Sequence, residues 1–77
     1  MTKQANCLRD SKGKLDRYKK NIAKKHPGAK KQAVHTTATT IVMNECSGKS
    51  KHAAFEALKK KHSSKPWFVK GLKESDL

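Results

Sequence analysis

Residues 33–46, which read AVHTTATTIVMNEC, decide the fold of this chain. Four threonines, two valines and an isoleucine make the stretch dense in β-branched residues, a composition that favours a β-strand. The spacing of its apolar residues favours a helix instead, because Val34, Ala38, Ile41, Val42 and Cys46 fall on one arc of a helical wheel. As a strand, each face would mix apolar and polar side chains. We therefore predict a helix here and keep a strand as the alternative.

Two further helices are predicted on either side of this stretch. Leu15, Tyr18 and Ile22 recur at helical spacing and predict a helix over 12–25, with Ser11 as its N-cap. Ser50 is the expected N-cap of a helix over 51–62, which ends in a run of lysines that suits the negative end of the helix dipole. The fold class that follows is mainly α, a compact bundle of three or four short helices.

The C-terminal residues leave two possibilities open. Pro66 after Ser63 and Ser64 is typical of a helix start, and Trp67, Phe68 and Leu72 continue at helical spacing. Residues 67–69 could instead form a strand, and the fold would then be α+β with a small two-stranded sheet and two helices. In either case the predicted core is Leu15, Tyr18, Ile22, Val34, Ala38, Ile41, Val42, Phe55, Leu58, Trp67, Phe68 and Leu72.

Charge is the feature that bears most directly on function. The 77 residues carry 19 Lys and Arg against 6 Asp and Glu, a net charge of +13. A small soluble domain needs a net charge of only about 2 to 8 in magnitude. The excess lies on both sides of the central stretch, since residues 1–31 carry +9 and residues 49–61 carry +4, whereas 32–48 carry −1. This pattern predicts a polyanionic partner, and nucleic acid is the partner we expect.

The expected nucleic-acid contacts are mostly lysines. Seventeen of the 19 basic residues are lysine, and an ammonium group contacts phosphate as a point charge rather than reading base edges in a bidentate way. We therefore expect binding with little sequence specificity, and a single aromatic residue, Trp67, is a candidate for stacking on a base. The candidate phosphate contacts are Lys14, Arg17, Lys20, Lys24, Lys25, Lys30, Lys31, Lys49, Lys51, Lys59, Lys60 and Lys61.

A protein partner is the alternative. A short basic chain without a recognisable cofactor motif also suits a small inhibitor or adaptor of the phage or mobile-element type, which would bind an acidic surface of a host enzyme or defence complex. A homodimer is compatible with either role. Membrane insertion is not expected, because no apolar run approaches the roughly 18 residues of a membrane span.

Catalysis and metal binding are not expected. The two cysteines and four histidines do not form pairs at the spacing of a zinc site, and six acidic residues offer little to orient a catalytic base. We expect no enzymatic activity, no cofactor and no metal.

The expected location follows from the N-terminus and the cysteines. Met1 is followed by polar residues rather than the apolar stretch of a signal peptide. We therefore expect free thiols at Cys7 and Cys46, and a location in the host cytoplasm or nucleoid. The chain is interpreted as one small domain over 1–77, with residues 1–10 as a flexible N-terminal arm.

Overall fold

The protein is a helical bundle without a sheet among residues 3–77. The computed structural model describes residues 3–77, with their side chains from Cys7 onward. The predicted mainly α bundle is confirmed, and the α+β alternative is wrong for these residues. The elements are α1 (Lys3–Asp10), α2 (Lys12–Lys25), α3 (Lys31–Cys46), α4 (Lys51–His62) and a 3₁₀ turn at Glu74–Asp76.

Helix α3 is the centre of the bundle. It packs against α1, α2 and α4, and its predicted apolar arc from Val34 to Val42 is buried. Burial therefore outweighs the weak preference of β-branched residues for strands. The threonines are accommodated by local bonding: the Thr40 hydroxyl donates to the carbonyl oxygen of Thr36 at 2.8 Å, as hydroxyl side chains inside helices often do.

The core contains most of the predicted residues and three that the sequence pattern missed. Ala54, Val69 and the polar Thr37 are buried. Leu15, Trp67 and Phe68 were predicted as core, but they are only partly buried and pack against its edge. The buried apolar residues are Tyr18, Ile22, Val34, Ala38, Ile41, Val42, Ala54, Phe55, Leu58, Val69 and Leu72.

The expectation of free thiols is wrong. Cys7 in α1 and Cys46 at the end of α3 form a disulfide, with their Cα atoms 5.7 Å apart. The segment expected to be a flexible arm, residues 1–10, is helical from Lys3 to Asp10, and residues 1–2 lie outside the described part of the chain. The two cysteines meet because α1 packs on α3. This is a tertiary contact, and no local sequence pattern predicts it.

The residues after α4 do not form the predicted helix. Residues 63–72 run through turns instead, and Gly71 adopts a φ of +80°, a left-handed conformation that an α-helix does not contain. The segment is held to the bundle by side chains: the Thr37 hydroxyl donates to the Trp67 carbonyl oxygen at 3.2 Å, and Nε2 of His26 lies 2.8 Å from Oδ2 of Asp76.

The two predicted N-caps have different outcomes. Ser50 caps α4 as expected, since its hydroxyl accepts from the backbone N–H of Ala53 at 3.2 Å. Ser11 occupies the N-cap position of α2 but makes no capping bond with its side chain. Its hydroxyl lies 3.8 Å from the Cys7 sulfur instead, so the contact with the disulfide replaces the cap.

Candidate functional site

Three open grooves surround the first turn of α3. Groove 1, of about 560 Å³, lies between the connection 26–30 and residues 66–70. Groove 2, of about 380 Å³, lies between α2 and α3. Groove 3, of about 300 Å³, lies between α3 and the Pro66–Trp67 turn. All three are shallow and open to solvent, which suits an extended ligand better than an enclosed small molecule.

The grooves adjoin one another. Ala29 lines both groove 1 and groove 2. Lys30, Ala33 and Pro66 line both groove 1 and groove 3. The start of α3 and the connection before it therefore contribute residues to all three grooves. We call the three grooves together the α3 groove surface.

The α3 groove surface carries only positive charge. Six lysines and two histidines line it, and no Asp or Glu among the described residues does. Five of the six lysines are exposed, and Lys19 is half-buried. An anion that entered the grooves would meet several ammonium groups among the side chains that line them. The lysines are Lys19, Lys20, Lys25, Lys30, Lys31 and Lys70.

Two carboxylates of the described chain, Glu45 and Glu74, have partners outside the grooves. Glu45 accepts a hydrogen bond from the Tyr18 hydroxyl at 2.8 Å and lies 3.5 Å from the Lys14 ammonium. Burial and the bond to Glu45 raise the pKa of Tyr18, so its hydroxyl keeps its proton and remains a donor. Glu74 pairs with His52, and this contact raises the pKa of the histidine.

Asp76 is linked to the α3 groove surface through His26, which lines groove 1. The hydrogen bond to His26 and a second one from the Lys73 backbone N–H hold the pKa of Asp76 below its usual value. The carboxylate is therefore ionised at neutral pH and occupied by two donors. The contact between Asp76 and His26 holds the C-terminal segment against the end of α2. Residues 66–70 of this segment contribute one side of groove 1.

Helix α3 adds a partial positive charge to the lysines. Lys30 occupies its N-cap position and makes no capping bond with its side chain. The first N–H groups of a helix have no partner within the helix, and they form the positive end of its dipole. The helix start therefore reinforces the charge of the grooves that it separates.

The structure divides the predicted contact residues into three groups. Four of them lie in the grooves: Lys20, Lys25, Lys30 and Lys31. Two are engaged outside the grooves, since Lys14 pairs with Glu45 and the Lys51 ammonium lies 5.7 Å from the centre of the Tyr18 ring. The remainder are exposed and line none of the three grooves: Arg17, Lys24, Lys49, Lys59, Lys60 and Lys61.

Sequence reasoning missed two groove lysines. Lys19 directly precedes Lys20, and its position on the helical wheel could have indicated that it faces α3. Lys70 lies in the turns after α4, and only the tertiary fold brings it opposite Lys25 and Lys30 across groove 1. Trp67, the candidate stacking residue, is half-buried and lines groove 3.

Residues 3–77 contain neither a candidate metal site nor a candidate membrane span. No group of three His, Cys, Asp or Glu side chains lies close enough to hold a metal ion. None of the helices between Lys3 and His62 has the length and apolar character needed to span a membrane.

No protein-family model, no curated protein and no solved structure matches the chain at a significant level.

Proposed function

We propose that the protein binds nucleic acid through the phosphate backbone, with the α3 groove surface as the principal contact. The observation that carries the proposal is the set of six groove lysines without a lining carboxylate. Thirteen uncompensated positive charges repel one another in the folded chain. A phosphate backbone relieves this repulsion and releases its own condensed counterions on binding.

The proposed binding has little sequence specificity. The basic residues that line the grooves are lysines and two histidines, without an arginine, and lysine lacks the planar fork with which arginine recognises guanine edges. The protein would then act as an accessory protein that covers or positions nucleic acid. Specific recognition of a base sequence is not part of the proposal.

An acidic protein partner is the second candidate, and the groove floors favour it. Ala29, Ala33, Val34 and Phe68 line the grooves between the lysines, and apolar floors with charged rims resemble the anatomy of protein interfaces. The protein would then be a small inhibitor or adaptor that binds an acidic surface. A pull-down from nuclease-treated lysate separates the candidates, because only a protein partner survives the nuclease at fixed stoichiometry.

The disulfide bears on the compartment in which the protein acts. The cytoplasmic expectation followed from the polar N-terminus, and free thiols were expected with it because disulfides are rare in the reducing cytosol. The Cys7–Cys46 bond therefore favours an oxidising compartment for the folded form. If the protein acts in the cytoplasm or nucleoid, its reduced form must stay folded. The free energy of unfolding, measured with and without a reductant, tests this requirement.

Salt-dependent binding is the first test of the proposal. Fluorescence anisotropy is measured with labelled single-stranded DNA, duplex DNA and duplex RNA at increasing salt. If the six groove lysines contact phosphate, affinity for a duplex should fall by roughly a thousandfold between about 50 and 200 mM salt. Binding that ignores salt, or no binding to any of the three, contradicts the proposal.

A further inference from the structure

The Trp67 side chain is held in place and partly open to groove 3. The His62 ring packs against it, with the two ring centres 5.1 Å apart and the planes tilted by 43°. The Trp67 carbonyl oxygen accepts a hydrogen bond from Thr37, whose side chain is fully buried. The indole is thus positioned before any ligand arrives, and a preorganised ring loses little conformational entropy on binding.

Groove 3 combines an aromatic wall with polar groups and a cation. Trp67 and Pro66 form its apolar side, and Lys30, Gln32 and Thr36 lie on the side of α3. The Gln32 amide can both donate and accept hydrogen bonds, and so can the Thr36 hydroxyl. A volume of about 300 Å³ is at the lower end of the range for ligand sites, which suits one flat ring.

Groove 3 opens onto the phosphate-binding part of the same surface. Lys30 and Pro66 line both groove 3 and groove 1, and groove 1 also contains Lys25 and Lys70. A nucleotide whose base entered groove 3 would place its phosphates near Lys30 and the lysines of groove 1. In a duplex the bases are stacked and paired, so that only an unpaired base can reach an aromatic wall in this way.

We propose that groove 3 binds one unpaired nucleobase against the Trp67 ring, and that the preferred ligand is therefore single-stranded nucleic acid. This inference rests on the proposed function. It specifies that the ligand is single-stranded, and it adds base stacking to the phosphate contacts. Lys30 holds the adjacent phosphate, and Gln32 and Thr36 contact the edge of the base. The site selects an unpaired base over a paired one.

Tryptophan fluorescence tests the inference on the unaltered protein. Trp67 is the only tryptophan of the chain, so the tryptophan emission reports on the surroundings of Trp67, which include groove 3. The protein is titrated with oligothymidylate of about 12 nucleotides, within the usual site sizes for single strands. A duplex of the same length and inorganic polyphosphate are titrated in parallel. Oligothymidylate should quench the emission, whereas polyphosphate and the duplex should bind without quenching it.

Substitution of Trp67 measures the contribution of stacking. Trp67→Leu should weaken oligothymidylate binding by roughly 5- to 150-fold, the range that stacking of one base supplies, and should leave polyphosphate binding unchanged. Trp67→Phe keeps an aromatic face and should retain most of the affinity. Met43→Leu is the control and should leave binding unchanged, because Met43 is an exposed apolar residue that lines none of the three grooves.

The outcomes separate this inference from the proposed function. If the single strand and the duplex bind equally and neither quenches Trp67, the base site is refuted while phosphate binding stands. If no nucleic acid binds, both proposals fail. Thermal unfolding checks that each variant is folded, and the quenching experiment decides the matter even if Trp67→Leu does not fold.

Discussion

Loss of the Cys7–Cys46 disulfide is expected to destabilise the fold by about 4 kcal/mol. The bond closes a loop with a sequence separation of 39, and the loop-closure entropy removed from the unfolded chain gives this magnitude at that length. A chain of 77 residues has a total free energy of unfolding of only about 4–12 kcal/mol. The bond is therefore a large part of the stability of the bundle.

Urea unfolding measures this contribution. The native protein is compared with the same protein under a reductant and with the Cys7→Ala/Cys46→Ala variant, which controls for side reactions of the thiols. The reduced protein and the variant should agree, and each should have a free energy of unfolding about 4 kcal/mol below that of the native protein. A difference below about 1 kcal/mol would refute the reasoning, and it would show that the reduced chain folds well enough for a reducing compartment.

Three further predictions concern single side chains. Because the Glu74 carboxylate stabilises the protonated His52 ring, Glu74→Gln should lower the pKa of His52 toward its usual value of about 6.5, as followed by NMR. The stabilising effect of this pair is present below that usual value and is lost as pH rises through the raised pKa of the folded state. Thr37→Val leaves the Trp67 carbonyl without its donor and should lower the free energy of unfolding by about 1–3 kcal/mol, with a change in tryptophan emission. Gly71→Ala forces a side chain into a left-handed backbone and should destabilise the protein to urea by roughly 1 kcal/mol.

Most of the helical fold could be predicted from the sequence. In two helices the spacing of the apolar residues and the residues that begin and end a helix indicated the same element. Leu15, Tyr18 and Ile22 predicted a helix over 12–25, and α2 spans Lys12–Lys25. The lysine-rich helix over 51–62 was also predicted with its bounds and its Ser50 cap. In α3 the two signals disagreed, and apolar periodicity proved more reliable than β-branched composition.

The remainder of the fold depends on tertiary contacts that leave no local signal. The turns after α4 follow the buried side chains of Val69 and Leu72, which overrode the helical spacing of Trp67, Phe68 and Leu72. The disulfide likewise depends on the packing of α1 on α3. Two cysteines 39 residues apart do not reveal that contact.

The candidate site was predicted in composition more than in layout. Composition predicted lysine as the contact type, and four of the six groove lysines were among the predicted contacts. The same reasoning also included Lys14 and Lys51, whose partners are Glu45 and the Tyr18 ring. It omitted Lys70, because only folding brings that residue to groove 1.

The position of charge, rather than its amount, is the central claim, and two variants of equal net charge test it. The groove variant carries Lys25→Gln, Lys30→Gln and Lys31→Gln. The control variant carries Lys12→Gln, Lys49→Gln and Lys59→Gln, three exposed lysines outside the grooves.

The deciding measurement is the slope of the logarithm of the binding constant for single-stranded DNA against the logarithm of the salt concentration. Loss of three phosphate contacts should make the slope of the groove variant shallower by about 2, because each contact to a single strand contributes about 0.7 to the slope, while the control variant should stay close to the native protein. Equal slopes for the two variants would contradict the account, because the nucleic acid would then respond to overall charge and not to the α3 groove surface.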